Sequence, residues 1–226
     1  MESEHYSLGL SELGENDRVP PGSNILIFGP PECGKDVILR RILLRGLRNG
    51  ERAIYVTAAI SSIHESKFFE RMKFRDEITF IDPISSGILE VSRISENVEL
   101  APSPADITVL NVKITQAMEK YLKEDRKRKI RIGINSISTL LMYNNPQVIY
   151  RFMHSLTERV RLTRSLGIYI LEQGMHPVEI ENMFKQLCNC IIELRKGQSS
   201  PLMRLIRYPF RASEEVEGKF EEGILE

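Results

Sequence analysis

Residues 29–36 read GPPECGKD, and a glycine, four residues and then Gly-Lys is the spacing of a loop that cradles phosphate groups. The chemistry follows from the residue types. Gly29 and Gly34 let the backbone N–H groups converge on an anion, a helix starting just after them adds partial positive charge, and Lys35 reaches the terminal phosphates. Pro30, Pro31, Glu32 and Cys33 form the body of the loop, so the expected phosphate contacts run from Gly29 to Asp36. The eighth position breaks the pattern: a serine or threonine hydroxyl normally holds magnesium there, and this chain has Asp36. A Gly/Pro turn with a solvated lysine is the plainer reading, but it leaves the strand before the loop and the helix after it unexplained.

Those flanking elements are readable. NILIFG (24–29) is an apolar strand entered through the turn residues Val19-Pro20-Pro21-Gly22, and DVILRRILLRGLRNG places Val37, Ile38, Ile42, Leu43, Leu44 and Leu47 at helical spacing before a stop at Gly50. Further strands are expected at 52–58, 78–83, 129–137 and 168–173. Helices are expected over VLNVKITQAMEKYLKEDRK and VIYRFMHSLTERVRLTRSLG. The stretch 85–106, with Pro102 and Pro104, reads as a long loop, and Met142–Pro146 as a loop beyond a strand end. CNCIIELRK and MRLIRYPF read as an antiparallel hairpin, with a short strand expected around FEEGIL. Strands alternating with helices predict an α/β fold, mostly a parallel sheet flanked by helices, with an antiparallel edge hairpin at the C-terminal end. The expected organisation is one domain over 1–226, with a leader at 1–18 and an acidic tail at 213–226.

LGLSELGENDRVPPGSNILIFGPPECGKD resembles the opening of KaiC-like and RecA-like ATPases, where an acidic leader and a Pro-x-Gly turn precede the loop strand. KIRIGINSISTLL is similar to that family's second nucleotide-binding strand, normally apolar residues followed by Asp-Ser. GIYILEQ is similar to its next strand, whose polar end senses the γ-phosphate, which puts Gln173 among the expected nucleotide contacts. The order of elements from about residue 8 onward follows an archaeal-type single-domain KaiC homologue with degenerate motifs. The resemblance implies a RecA-like fold, ATP or ADP as ligand, magnesium as its metal, and assembly as a homo-oligomer or with a protein partner.

The departures fall on the chemistry. Asp36 stands for the hydroxyl, Asn135 for the metal-holding aspartate, and Thr57-Ala58-Ala59 for the end of the strand where the family carries a water-activating glutamate. His64 and Glu65, a few residues on, are ascribed to a surface helix beginning near Ser61. Arg207 stands at the lysine of the family's trans-acting Lys-x-Arg, while Pro209 replaces its arginine and Arg211 follows. Two readings of Asp36 stay open. In one its carboxylate caps the loop amides and repels a triphosphate, by about 4 kcal/mol for unit charges 4 Å apart at an effective dielectric near 20. In the other, Asp36 and Asn135 exchange roles, which preserves one carboxylate around magnesium. Both make Asp36 and Asn135 the candidate metal ligands.

Composition narrows the remaining classes. A net charge of +0 gives no bulk attraction for nucleic acid. The basic run Lys120, Lys123, Arg126, Lys127, Arg128, Lys129 and Arg131 is read first as a solvated helix end and second as a nucleic-acid contact. The apolar stripe Val148, Phe152, Leu156, Val160 and Leu162 is read as core. Cys33, Cys188 and Cys190 are too few for a disulfide framework, and the Cys-x-Cys pair is expected on one face of a strand as core rather than metal ligands. No run reaches the roughly 20 apolar residues of a membrane span, and the acidic start does not read as a secretory signal, so a cytoplasmic protein is expected. The function expected is that of an atypical ATPase homologue that binds nucleotide, hydrolyses it poorly or not at all, and acts in regulation or assembly through protein contacts. The alternatives are a working ATPase with substituted residues and a nucleic-acid-binding recombinase paralogue.

Overall fold

The computed structural model describes residues 5–86, 96–198, 200–207 and 211–218. Two short strands, β1 (Tyr6–Ser7) and β2 (Arg18–Val19), pair antiparallel around a 3-10 segment at Ser11–Asp17. Then β3 (Asn24–Gly29), α1 (Lys35–Arg48), β4 (Arg52–Thr57), α2 (Ser62–Arg71), β5 (Ile78–Asp82), β6 (Val98–Leu100), α3 (Ile107–Glu124) and β7 (Ile130–Asn135) follow. After them come α4 (Ile137–Tyr143), α5 (Pro146–Leu162), β8 (Leu166–Glu172), α6 (Val178–Lys185), β9 (Cys190–Arg195), β10 (Leu202–Arg207), β11 (Arg211–Ala212) and β12 (Val216–Glu217).

The sheet runs β11-β10-β9-β3-β8-β7-β4-β5-β6, with β12 also on β10. From β9 to β6 every pairing is parallel, and β10 returns antiparallel to β9, which is the expected hairpin. Strands buried on both faces are continuous apolar runs, as NILIFG is, because helices cover both sides. One face packs α1 and the β1–β2 segment, through Ile38, Leu39, Ile42, Tyr6, Leu8 and Leu10. The other packs α3, α4, α5 and α6, through Leu110, Leu140, Leu156 and Phe184.

Several expectations are corrected by packing. The loop at 85–106 contains β6, whose backbone pairs with β5 even though three residues are too few for a visible period; residues 87–95 of that stretch lie outside the described residues. Met142–Pro146 is the end of α4 and the start of α5, since Ser136 caps a helix directly after β7. In α5 the buried stripe is Ile149, Phe152, Met153, Leu156 and Val160, while Leu162 is 83% exposed and Val148 lies at the surface. Cys188 precedes β9, so strand alternation does not reach it: Cys188 packs beneath α5 and α6, whereas Cys190 packs on the α1 face. Among the described residues no His/Cys/Asp/Glu group is placed to hold a metal. Arg131 leaves the basic run altogether, being fully buried against Glu51. The strand expected at FEEGIL lies outside the described residues.

Candidate phosphate-binding site

Gly29 ends β3 in close quarters: a Cβ there would lie 2.8 Å from the Leu194 carbonyl oxygen and 3.0 Å from Cys33 Sγ. The chain then turns through Pro30–Cys33, with Glu32 at φ 60° and Gly34 at φ 80°, and enters α1 at Lys35. Gly34 takes the left-handed conformation at the entry to α1, a geometry open to glycine without strain. Among the described residues, no hydrogen bond within the chain engages the N–H groups of Gly34, Lys35 or Asp36. Those donors lie at the N-terminus of α1, where the helix dipole favours an anion.

Lys35 is 4% exposed, and its ammonium group is held from three sides. Nζ lies 2.7 Å from Glu172 Oε2 at the end of β8, donates to the Pro30 carbonyl, and sits 3.4 Å from Cys33 Sγ. Burial pushes the Cys33 thiol up, so it remains a neutral wall of the loop. Glu172 was not singled out in the sequence, yet alternation from Ile168 and Ile170, which pack on the α1 face, places it there. Gln173 follows the strand, exposed, and its N–H donates to the Gly29 carbonyl at 2.8 Å.

Asp36 does not fold onto the loop amides. Its Oδ2 accepts from Arg40 Nη2 at 3.0 Å, one helical turn on, and Arg40 Nε donates to both oxygens of Glu65 at 3.0 and 3.3 Å. Glu65 is 2% exposed, so α2 is no surface helix at this position: Ser62, Glu65 and Phe69 face inward. Burial raises the Glu65 carboxyl despite Arg40. Burial alone would lower Arg40, but the Glu65 and Asp36 carboxylates outweigh it and raise it. Asn135 Nδ2 lies 3.4 Å from the hydroxyl of Tyr55, a fully buried phenol that burial and the Glu65 charge push far up. Thr57, in register with Asn135 on the neighbouring strand, is buried, and among the described residues its Oγ1 has no hydrogen-bond partner. The structure therefore gathers Gly29–Asp36, Asn135 and Thr57 at the C-terminal ends of parallel strands, where open α/β sheets bind ligands. Arg207 instead donates to the Asn16 carbonyl of its own chain.

Magnesium fits this donor set poorly. It requires near-octahedral oxygen ligands, but Asp36, at the position of the usual hydroxyl, already carries a guanidinium at 3.0 Å, Glu172 is held by Lys35, and Asn135 supplies only a neutral amide.

A family model described as a family of unknown function, DUF7504, matches residues 22–194, from the turn before the loop strand to β9. The chain belongs to that family. Among curated proteins, this DUF7504 member is similar to UPF0273 protein MK0039 of Methanopyrus kandleri, 26% identical over 176 residues, or 74% of this chain and 65% of that protein. It thus spans under two thirds of the curated relative's length. Among solved structures it is similar to the KaiC-like protein PH0186 of Pyrococcus horikoshii OT3, with TM-score 0.61 and 15% identity over 97% of this chain and 92% of that one. The likeness shows a KaiC-like, RecA-type fold. Among the described residues no helix is long and apolar enough to cross a membrane.

Proposed function

We propose that this DUF7504 protein binds the phosphates of ATP or ADP at Gly29–Asp36 and hydrolyses the nucleotide slowly or not at all, acting through contacts with protein partners or further copies of itself. The observation that carries this reading is the pairing of open loop amides and a buried Lys35 with a strand end, Thr57-Ala58-Ala59, that has no carboxylate to activate water. Glu65, the next acid along the chain, is tied to Arg40 and buried. Losing a general base removes about 10² to 10⁴-fold of rate. The KaiC-like neighbour and the UPF0273 relative support a RecA-like ATPase ancestry for the chain. The test is to hold purified protein with saturating ATP and magnesium and follow bound nucleotide and released phosphate together. The expected result is retained, intact ATP; steady release of phosphate at ordinary ATPase rates overturns it.

A second reading, nucleic-acid binding, is favoured by one feature at the opposite end of the sheet. Arg18, Arg45, Lys127, Arg128 and Lys129, with the acidic Glu51 and Asp125 between them, line a cavity of about 570 Å³. Backbone phosphates held there would bind with a steep salt dependence. Reversing Lys127 and Arg128 to glutamate is expected to abolish such binding, and unchanged affinity rules the reading out.

A further inference from the structure

We infer that Arg40 serves as the resident counter-cation of the phosphate loop, so that the site takes a nucleoside triphosphate without magnesium. The inference rests on the nucleotide-binding reading above and names the form of the ligand. A carboxylate at the last loop position would repel a polyphosphate, and in this chain a side chain rather than a dissociable ion screens it, although Arg40 is shared with Glu65, whose carboxyl burial raises. Arg40 is placed for this by two independent elements. It follows Asp36 by one turn of α1, and Glu65 reaches it from α2 with both oxygens. The guanidinium also lies 5.8 Å from the ring centroid of Phe68, which stacks beside it.

An exposed (i, i+4) pair would contribute only about 0.3–0.5 kcal/mol and need no further partner. This one is different, because Arg40 is 17% exposed and its second carboxylate is 2% exposed. A buried carboxylate is retained only with a hydrogen-bonded partner, so Glu65 fixes Arg40 in place permanently. Guanidinium stays charged across the usable pH range, unlike a metal ion that leaves on dilution. With the cation resident, a divalent ion brought by ATP would meet a positive charge 3.0 Å from Asp36, the carboxylate at the usual metal-holding position.

The experiment is equilibrium binding of ATP to the full chain in excess magnesium and again in EDTA, for wild type, Arg40→Gln and Asp36→Asn. Wild type is expected to bind equally in both buffers, within about threefold. Asp36→Asn keeps the Arg40–Glu65 pair and hence the fold, and is expected to bind more tightly, still without a magnesium requirement. Arg40→Gln is expected to lose about tenfold or more in EDTA and to recover with magnesium. Wild-type binding that needs magnesium by tenfold or more overturns the inference while leaving the nucleotide reading intact. Absence of ATP binding in both buffers overturns the nucleotide reading itself.

Discussion

Nζ of Lys35 and Oε2 of Glu172 lie 2.7 Å apart, joining the first turn of α1 to the end of β8 across the mouth of the loop. An anion entering the loop must share Lys35 with a carboxylate already bound to it. Glu172→Gln removes the competing charge and leaves a hydrogen-bonding side chain of the same size. ATP affinity is expected to rise about tenfold, equivalent to about 1.4 kcal/mol. Titration calorimetry of the variant against wild type checks this, and an unchanged or weaker affinity would show that Glu172 does not compete.

Asp82 ends β5 fully buried and accepts bonds from the N–H groups of Ser62, Ile84 and Ser85 and from the Ser85 hydroxyl, at 2.7–2.9 Å. Burial alone would raise this carboxyl, but the bonds from Ser62 and Ser85 outweigh it and hold it below its ordinary 3.8. A depressed carboxyl contributes stability above the unfolded value that is lost as pH falls through the folded one. Asp82→Asn is therefore expected to destabilise at neutral pH by about 2 kcal/mol, roughly 4–8 °C in Tm. The gap from wild type should close in melts taken well below pH 3.8.

Arg131 lies flat across α1, where Gly46 has no Cβ to obstruct it: one would fall 2.2 Å from Nε. It pairs with Glu51 through two bonds at 2.7 and 3.0 Å and donates to the carbonyls of Ile42 and Ser7, tying the N-terminal segment to the sheet. Glu51→Gln leaves a buried guanidinium with a neutral partner and is expected to cost about 3–5 kcal/mol in urea unfolding. Replacing both residues together, by Glu51→Leu and Arg131→Met, is expected to recover most of that loss. A double variant as unstable as the single one would mean the pair contributes more than mutual neutralisation.

The loop, its strand and its helix were legible in the sequence because they are contiguous and each obeys a local rule: an apolar run, two glycines at fixed spacing, a helical stripe. The parallel sheet and edge hairpin were legible for the same reason. What surrounds the loop was not, because Arg40, Glu65, Tyr55 and Glu172 come from four elements joined only by tertiary packing. Some of it left a trace. Arg131 interrupts a strand whose alternate residues are Ile130, Ile132 and Ile134, and alternation also assigns Glu172, rather than Gln173, to the α1 face. Glu65 left none, since SIHESKFFER is polar enough for a surface helix. Cys188 was misplaced by extending a period of two past the start of β9.

The central claim is that Lys35 and the amides before it bind a nucleotide's phosphates, and equilibrium titration of the full chain with ATP tests it most directly. The account predicts saturable one-to-one binding that Lys35→Ala weakens by at least about tenfold in a variant that still unfolds cooperatively. No saturable binding by wild type, or equal binding by Lys35→Ala, would contradict it.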